Sequence, residues 1–422
     1  MTAVVQINSG DLIGRRFNGY DLTPYLQKLG IQSTHLVFWN RQSDASFVHQ
    51  MFPYPGSMRL TRALNQLEGR ISTHARFHPQ SWFLPAHKTF RAADVAHYHI
   101  VHDGYFSLGA MKFLSWLKPT IWTWHDPWPL TGHCIYPMQC DRWAIGCGYC
   151  PDLNRPFPMR RDRTAEEFER KKRIYRRTSA DIIVASPWML NLAVKSPLAN
   201  EFRFHQIPFG IDLTKFRERD RASAQRRLGV LPNRKVIMLR AVAGPYKGLT
   251  NLIDALSQWG VGESICIIAL QETGHFDRFI GTHQVIEFNW SNDEDFLIDA
   301  YSASDVFMMP SKAEAFGMMA IEAMACSRPV ISFEGTSLPS ITFAPEAGLA
   351  VRLDDNEALA AAIRHLLSHS PECELRGRRS RALAEEHYDI TRQAKALASL
   401  YRDVQRRGSG ASLKSSGDLV SE

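Results

Sequence analysis

The chain has 422 residues, 45% of them hydrophobic and 22% charged, with a formal charge of +7 at pH 7 and a pI near 9.0. That length exceeds what one hydrophobic core usually organises and predicts two domains of roughly 200 residues each, while the composition excludes a disordered or fibrous chain. A positive balance suits polyanions, nucleotide phosphates and an anionic membrane surface alike, so charge alone selects no partner.

The first strand-like run begins at Val4 with no basic, long apolar leader before it, so no secretory signal is expected. No run reaches the roughly 18 continuous apolar residues of a spanning helix. A cytoplasmic protein is therefore expected, and in reducing surroundings clustered cysteines read as metal ligands or free thiols rather than disulfides.

In the first half, residues 3–7, 33–39, 95–100, 120–124 and 182–185 read as short strands. Residues 20–29 and 106–117 carry helical periodicity between them, and this alternation predicts a parallel, doubly wound sheet. The first βα turn, GDLIGRRFNG, supplies Gly14 and Gly19 where backbone must come close to a ligand. Its Arg15 and Arg16 suggest phosphate contact. His125, in TWHD, follows a strand at its carboxyl end; a structural hydrogen bond to Asp126 is the alternative reading.

Residues 131–151, TGHCIYPMQCDRWAIGCGYCP, hold four of the seven cysteines. Cys134, Cys140, Cys147 and Cys150 are spaced C-x5-C-x6-C-x2-C, which reads as a structural zinc site beside the chemistry or as packed free thiols. Four thiolates would fill a tetrahedral shell and leave no position for substrate, so no catalytic metal is expected. Residues 160–177 hold nine Arg or Lys and four acids on an expected helix. This reads as a solvated face or as a contact with anionic lipid.

The break between halves is expected near Pro208-Phe209-Gly210-Ile211-Asp212, ahead of the charged run 215–227. Strands at 235–240, 264–269, 285–288, 306–309 and 329–333 then alternate with helices at 248–259, 294–302, 318–325 and 357–368. The domains expected are 1–207, with the Cys-rich insert at 131–151, then 208–385, then a C-terminal helix at 386–407 that can pack back on the first domain. A disordered tail is expected at 408–422, which is polar and rich in Gly and Ser. Asp293-Glu294-Asp295 mimics a D-x-D metal motif but stands where N-capping acids belong.

The stretch PSKAEAFGMMAIEAMACSRPV, 310–330, sets Glu314 and Glu322 eight apart on either side of a helix start at Phe316-Gly317. A carboxylate at a strand's carboxyl end can accept hydrogen bonds from vicinal hydroxyls, and a helix N-terminus offers N–H groups to a phosphate. Together they describe a sugar-nucleotide site.

This stretch resembles the E-x7-E motif of the retaining GT-B glycosyltransferases of family 4, and the resemblance extends from residue 14 to about 401. Other matching pieces are DVAHYH, TWHDPWPLTGHC, ADIIVASPWM, IPFGID and YKGLTNLIDAL. The Cys-rich insert looks like that of a subgroup working in bacterial exopolysaccharide assembly. The resemblance implies a GT-B fold, two Rossmann-like doubly wound domains facing each other across a cleft. It makes Glu322 the ligand of the nucleotide ribose, Glu314 a contact of the donor sugar, and Arg240 and Lys247 the pair that holds the diphosphate. Phe316 and Gly317 would lie beside the donor, His125 would reach the donor sugar, and Gly14, Arg15 and Gly19 would form the acceptor side. Phe209 and Ser327 depart from the commoner Asn and Gly at their positions.

The implied activity is retaining transfer of a sugar from a nucleotide-diphosphate sugar to a saccharide acceptor, lipid-linked at the inner membrane face, with no catalytic cofactor. A sugar-nucleotide epimerase on the same fold is the nearer rival. A zinc-containing nucleic-acid-binding protein would leave Glu314, Glu322 and the two α/β halves unexplained, so no nucleic-acid partner is expected.

Overall fold

The computed structural model describes residues 1–52, 56–154, 156–258, 264–291 and 293–417. The chain divides into two compact units, Met1–Phe209 with Thr391–Glu422, and Gly210–Ile390. Each is built on a parallel sheet, as alternating strands and helices require.

In the first unit the strands are β1 (Thr2–Gly10), β2 (Ile31–Asn40), β3 (Val48–Gln50), β4 (Val95–Tyr98), β5 (Thr120–Trp124), β6 (Asp181–Val184) and β7 (Arg203–Gln206), ordered β3-β2-β1-β4-β5-β6-β7. Every residue of β4, β5 and β6 is buried, the signature of a parallel sheet covered on both faces. In the second unit β8 (Val236–Ala241), β9 (Cys266–Gln271), β10 (Gln284–Asn289), β11 (Val306–Met309), β12 (Val330–Phe333) and β13 (Leu349–Val351) are ordered β10-β9-β8-β11-β12-β13. Ile237, Leu239, Ile267, Met308 and Ile331 meet Leu252, Leu359 and Ile363 of the covering helices in one core cluster. Each such side chain contributes roughly 1.5–3 kcal/mol of burial.

Strand order reverses between β1 and β4 in one sheet and between β8 and β11 in the other. Ligands of open α/β sheets bind outside the carboxyl ends of the strands at these reversals.

The three short edge strands β3, β7 and β13 were not expected, nor were helices Ser57–Arg70, Arg221–Leu228 and Ser370–His387. Arg221–Leu228 lies in the charged run, where Asp220 caps it by accepting from Ser223 N–H (2.9 Å). Arg227 and Arg219 both bind Asp299, so two cations of the charged run are tied to helix Glu294–Ala303. The helix expected at 248–259 is Leu249–Ser257, and Trp259 lies outside the described residues. The last helix runs Ile390–Gly417, so residues 408–417 are helical where a disordered tail was expected. Extending a formed helix fixes one residue per hydrogen bond and avoids the cost of nucleation. Its buried Ala394, Leu397, Ala398, Tyr401 and Val404 recur at helical spacing, and Thr2 Oγ1 donates to its Gln405 (2.8 Å).

Candidate functional site

In the second unit, the loops leaving β8 and β11 hold each other. Lys312 N–H and Ala313 N–H both donate to Tyr246 O, at 2.8 and 3.3 Å. Gly248, with φ +66°, lies so close to the opposite loop that a Cβ would stand 1.9 Å from Pro310 O; no other residue fits without parting the two loops.

This lacing brings Lys247 Nζ to 2.8 Å from Glu314 Oε2, with both side chains partly exposed. Arg240, near the end of β8, donates Nε to Gln271 Oε1 and lies 5.8 Å over the Trp290 ring. Gln271 pays for that aim with φ +98°, a left-handed conformation that costs a non-Gly residue about 1–3 kcal/mol and concentrates at functional sites. Burial draws the Arg240 pKa down, while Glu314, Tyr301 and Glu322 oppose it. Arg240 therefore stays charged among these carboxylates. Glu322 is fully buried and its Oε2 accepts from Tyr301 Oη (2.9 Å).

The helix Met318–Ala325 starts at Gly317, φ +102°. The Phe316 side chain is buried edge-on to Tyr388, 5.8 Å away, so a ligand could meet Phe316 only through its backbone. Asp293 caps helix Glu294–Ala303 through Asp295 N–H and Phe296 N–H, the capping role expected of that acidic triplet. Gln271, Trp290 and Tyr301 carried no sequence signal, because their partners lie far along the chain.

In the first unit the histidines that end β4 and β5 are uncharged. His99 Nδ1 lies 3.0 Å from His125 Nε2, and His99 Nε2 lies 2.9 Å from Gln6 Oε1. Gln6 Nε2 donates to Tyr401 Oη (3.0 Å) and to Ser33 Oγ (3.3 Å). Tyr401 Oη in turn lies 2.8 Å from His97 Nδ1, and His97 Nε2 lies 2.7 Å from Thr123 Oγ1. Burial pulls the pKa of His97 and His125 down to about 3 and holds that of His99 well below its ordinary value. Donors and acceptors must then alternate: His99 gives its Nε2 proton to Gln6 and accepts at Nδ1 from His125 Nε2–H. His125 Nδ1 is left as an acceptor.

Asp126 does not hold His125. Its Oδ1 accepts from Trp128 N–H (2.9 Å) and its Oδ2 pairs with His102 Nε2 (3.0 Å). Burial raises the Asp126 pKa, but His102 and that N–H outweigh it and keep the carboxylate ionised. Phe209 stacks on His125, centroids 5.5 Å apart and 14° between planes, with Phe17 on it at 5.2 Å. The departure at Phe209 is thus an aromatic shelf under the histidine.

In the GDLIGRRFNG turn, Gly14 and Gly19 have φ of +75° and +91°. Asn18 staples it by donating to Gly10 O, Asp11 O and Ile13 O. Arg15 Nε pairs with Asp21 Oδ1 at 2.6 Å and lies over Tyr20.

The four insert cysteines are not arranged as a ligand set. Among the described residues no three His, Cys, Asp or Glu side chains are grouped to hold a metal ion. Cys147 Sγ accepts from Gly132 N–H and Cys150 Sγ donates to Asp152 O. Burial, with Cys134 and Cys140 adding to it, pushes the Cys147 thiol up to about 12.

The basic run 160–177 is likewise not a uniform solvated face. Lys171, on helix Thr164–Tyr175, is 1% exposed. Its Nζ donates to Trp128 O (2.6 Å) and Thr131 O (2.8 Å) and sits 3.4 Å from the Trp128 ring centroid. Arg163, Arg170 and Lys172 pair with Glu166, Glu167 and Glu169. The insert's first turn is therefore pinned by a buried lysine.

Residues 233–369 match the family model described as "Glycosyl transferases group 1". The match lies wholly in the second unit and covers Arg240, Lys247, Glu314 and Glu322. A protein of Escherichia coli K12, provisionally named a colanic acid biosynthesis glycosyl transferase, WcaC, is 26% identical over 252 residues, 56% of this chain and 59% of that protein. The chain thus spans about three fifths of the length of the first curated relatives it matches. Sucrose-phosphate synthase of Thermosynechococcus elongatus superposes with TM-score 0.66 at 19% identity, over 96% of this chain and 99% of that one. Anabaena Alr3699/HepE, solved with UDP and glucose, gives 0.62 at 16%, over 95% and 99%. The fold is accordingly GT-B-like, two Rossmann-like parallel-sheet units of seven and six strands.

Proposed function

We propose that the chain is a retaining glycosyltransferase of family 4 type, which moves a sugar from a nucleotide-diphosphate sugar to a saccharide acceptor. The carrying observation is the cluster at the carboxyl ends of β8 and β11, where Lys247 and Glu314 are paired at 2.8 Å with Arg240 and Glu322 beside them. Two cations suit a diphosphate and two carboxylates suit sugar hydroxyls. The match over residues 233–369 supports the same reading.

In the reaction, the bond from the sugar's anomeric carbon to the diphosphate oxygen breaks with its electron pair going to that oxygen. The acceptor oxygen bonds to the same carbon from the same face and gives its proton to the leaving diphosphate. Arg240 and Lys247 offset the charge that accumulates there, and because they are held in advance they need no reorganisation. A diphosphate competes with Glu314 for the Lys247 ammonium, so donor binding turns Glu314 toward the sugar. Glu322 is assigned to the ribose and His125 to the donor sugar, by the resemblance described above. No described helix is long and apolar enough to cross a membrane; a lipid-linked acceptor in surface polysaccharide assembly is favoured by the insert's resemblance and by the WcaC relative.

Thermal stabilisation across a set of UDP-, GDP- and other nucleotide sugars tests the donor, since a ligand of the native state raises its stability. One of them is expected to raise the melting temperature and to yield its sugar to a saccharide acceptor with the anomeric configuration kept. Conversion of the donor without acceptor would mean an epimerase, and an inverted product would end the retaining assignment.

A further inference from the structure

The first unit carries a contiguous aromatic face that nothing in the donor chemistry uses. On helix Met111–Leu117, Phe113, Trp116 and Leu117 stand at i, i+3 and i+4, so they share one side. They are 36%, 79% and 40% exposed. Trp82 stacks on Phe113 with centroids 6.3 Å apart and 23° between planes, and it and the adjacent Phe83 are 42% and 62% exposed. Scattered exposed apolar residues are ordinary, but a stacked Trp82–Phe113 pair with Phe83 next to it in sequence and Trp116 and Leu117 on the same side of the helix marks an interaction surface.

Its electrostatic setting selects the partner. Residues 57–93 and 107–119, which carry this face, include Arg59, Arg62, Arg70, Arg76, Lys88, Arg91, Lys112 and Lys118 and a single acid, Glu68. Glu68 is buried and occupied in accepting from Arg76 N–H and Phe77 N–H. The neighbouring helix Thr164–Tyr175 contributes Glu166, Glu167 and Glu169, each paired with its own Arg or Lys. Tryptophan and phenylalanine on segments where eight Arg or Lys accompany one acid, with Asp94 next in the chain, match the headgroup boundary of an anionic membrane, where amphipathic rings lie at the interface and Lys or Arg meet acidic lipid.

We infer that Trp82, Phe83, Phe113, Trp116 and Leu117 dock the first unit onto anionic phospholipid. This places the lipid contact on an aromatic face rather than on the basic run at 160–177, five of whose nine cations, Arg163, Arg170, Lys171, Lys172 and Arg176, are paired or buried. It does not rest on the donor-site reading, because docking is measured without sugar nucleotide; either can fail alone.

The test is flotation of the full chain with vesicles of phosphatidylglycerol and phosphatidylcholine at low salt, then at high salt. The wild type is expected to float with phosphatidylglycerol-containing vesicles, less so at high salt, and Phe83→Ser/Trp116→Ser to bind about tenfold more weakly with an unchanged melting temperature. Ile145→Ser/Tyr149→Ser, which removes two exposed apolar side chains of the Cys-rich insert, is expected to bind like the wild type. Lipids brominated in their acyl chains should quench wild-type tryptophan fluorescence more than that of Trp116→Phe, a comparison that leaves a ring in place if the serine variant fails to fold. Equal binding and equal quenching in wild type and variants would overturn the inference. So would absence of binding at low salt, or a wild-type dimer that Phe83→Ser/Trp116→Ser converts to monomer, which would make the face a contact between copies of this chain.

Discussion

The two sheets reverse their strand order in the same way, yet their strand ends are furnished in opposite ways. The second unit keeps ions there, Arg240, Lys247, Glu314 and Glu322, with the Lys247–Glu314 pair partly open to water. The first unit keeps neutral imidazoles, His97, His99 and His125, stripped of charge by burial and linked through Gln6 and Tyr401. A fixed ion can offset charge that develops on a phosphate. A neutral ring with a fixed tautomer can only place a hydrogen bond. The same architecture thus carries fixed ions in one unit and, in the other, uncharged imidazoles beside a His102–Asp126 pair.

The sharpest way to break that contrast is at Lys247. Lys247→Ala is expected to lower kcat/KM about a hundredfold, roughly 3 kcal/mol, with the melting temperature unchanged because the side chain is not in the core. Wild-type turnover in this variant would remove the charged half of the comparison.

A second probe asks whether a buried cation in the first unit acts on structure rather than chemistry. Lys171→Met leaves Trp128 O and Thr131 O without their donor and is expected to cost about 2 kcal/mol of stability in chemical denaturation. Burial holds Lys171 at about 7 against an ordinary 10.5. Between those values the unfolded chain binds the extra proton, so wild-type stability should rise with pH across that window and level off below pH 7. The variant should lack this rise; a wild type and variant with parallel pH profiles would show that Lys171 does not titrate there.

Smaller effects sharpen the picture. Glu322→Gln keeps the volume and a group for Tyr301 but loses the carboxylate, and nucleotide affinity by calorimetry is expected to fall about tenfold, roughly 1.4 kcal/mol. Unaltered affinity would take the ribose from Glu322. Tyr401→Phe removes one hydroxyl from the first unit's chain of hydrogen bonds and should cost about 1 kcal/mol. Nitrogen NMR of the histidines should show the Nε2–H form of His125 in the wild type and a mixture of tautomers in Tyr401→Phe. An unmoved spectrum would uncouple His125 from the last helix.

The second sheet was the more legible of the two from sequence. β11 and helix Met318–Ala325 fall on the residues expected, since fully buried parallel strands are written as apolar runs and the helix follows a glycine. The edge strands β3 and β7 are short, half-exposed and polar, with too few residues for a period to register. Ser370–His387 was missed because its fixings are remote: Arg381 donates to Phe216 O and Ala325 O. The same limit governed the site. Glu314 and Glu322 are legible because one motif holds both, whereas Gln6 and Tyr401 lie 395 positions apart. Phe209 was legible only as a departure, its use being visible once it lay against His125.

That separation of Gln6 from Tyr401 also sets a timetable for synthesis. The second unit, Gly210–Ile390, is one unbroken stretch and can close as soon as it is made, whereas the first unit needs residues from both sides of it. Until the last helix leaves the ribosome, Gln6 and His97 lack the Tyr401 hydroxyl and the apolar side of that helix is missing from the first sheet. The usual order, in which the N-terminal domain folds first during translation, is thereby reversed: the part begun first is finished last.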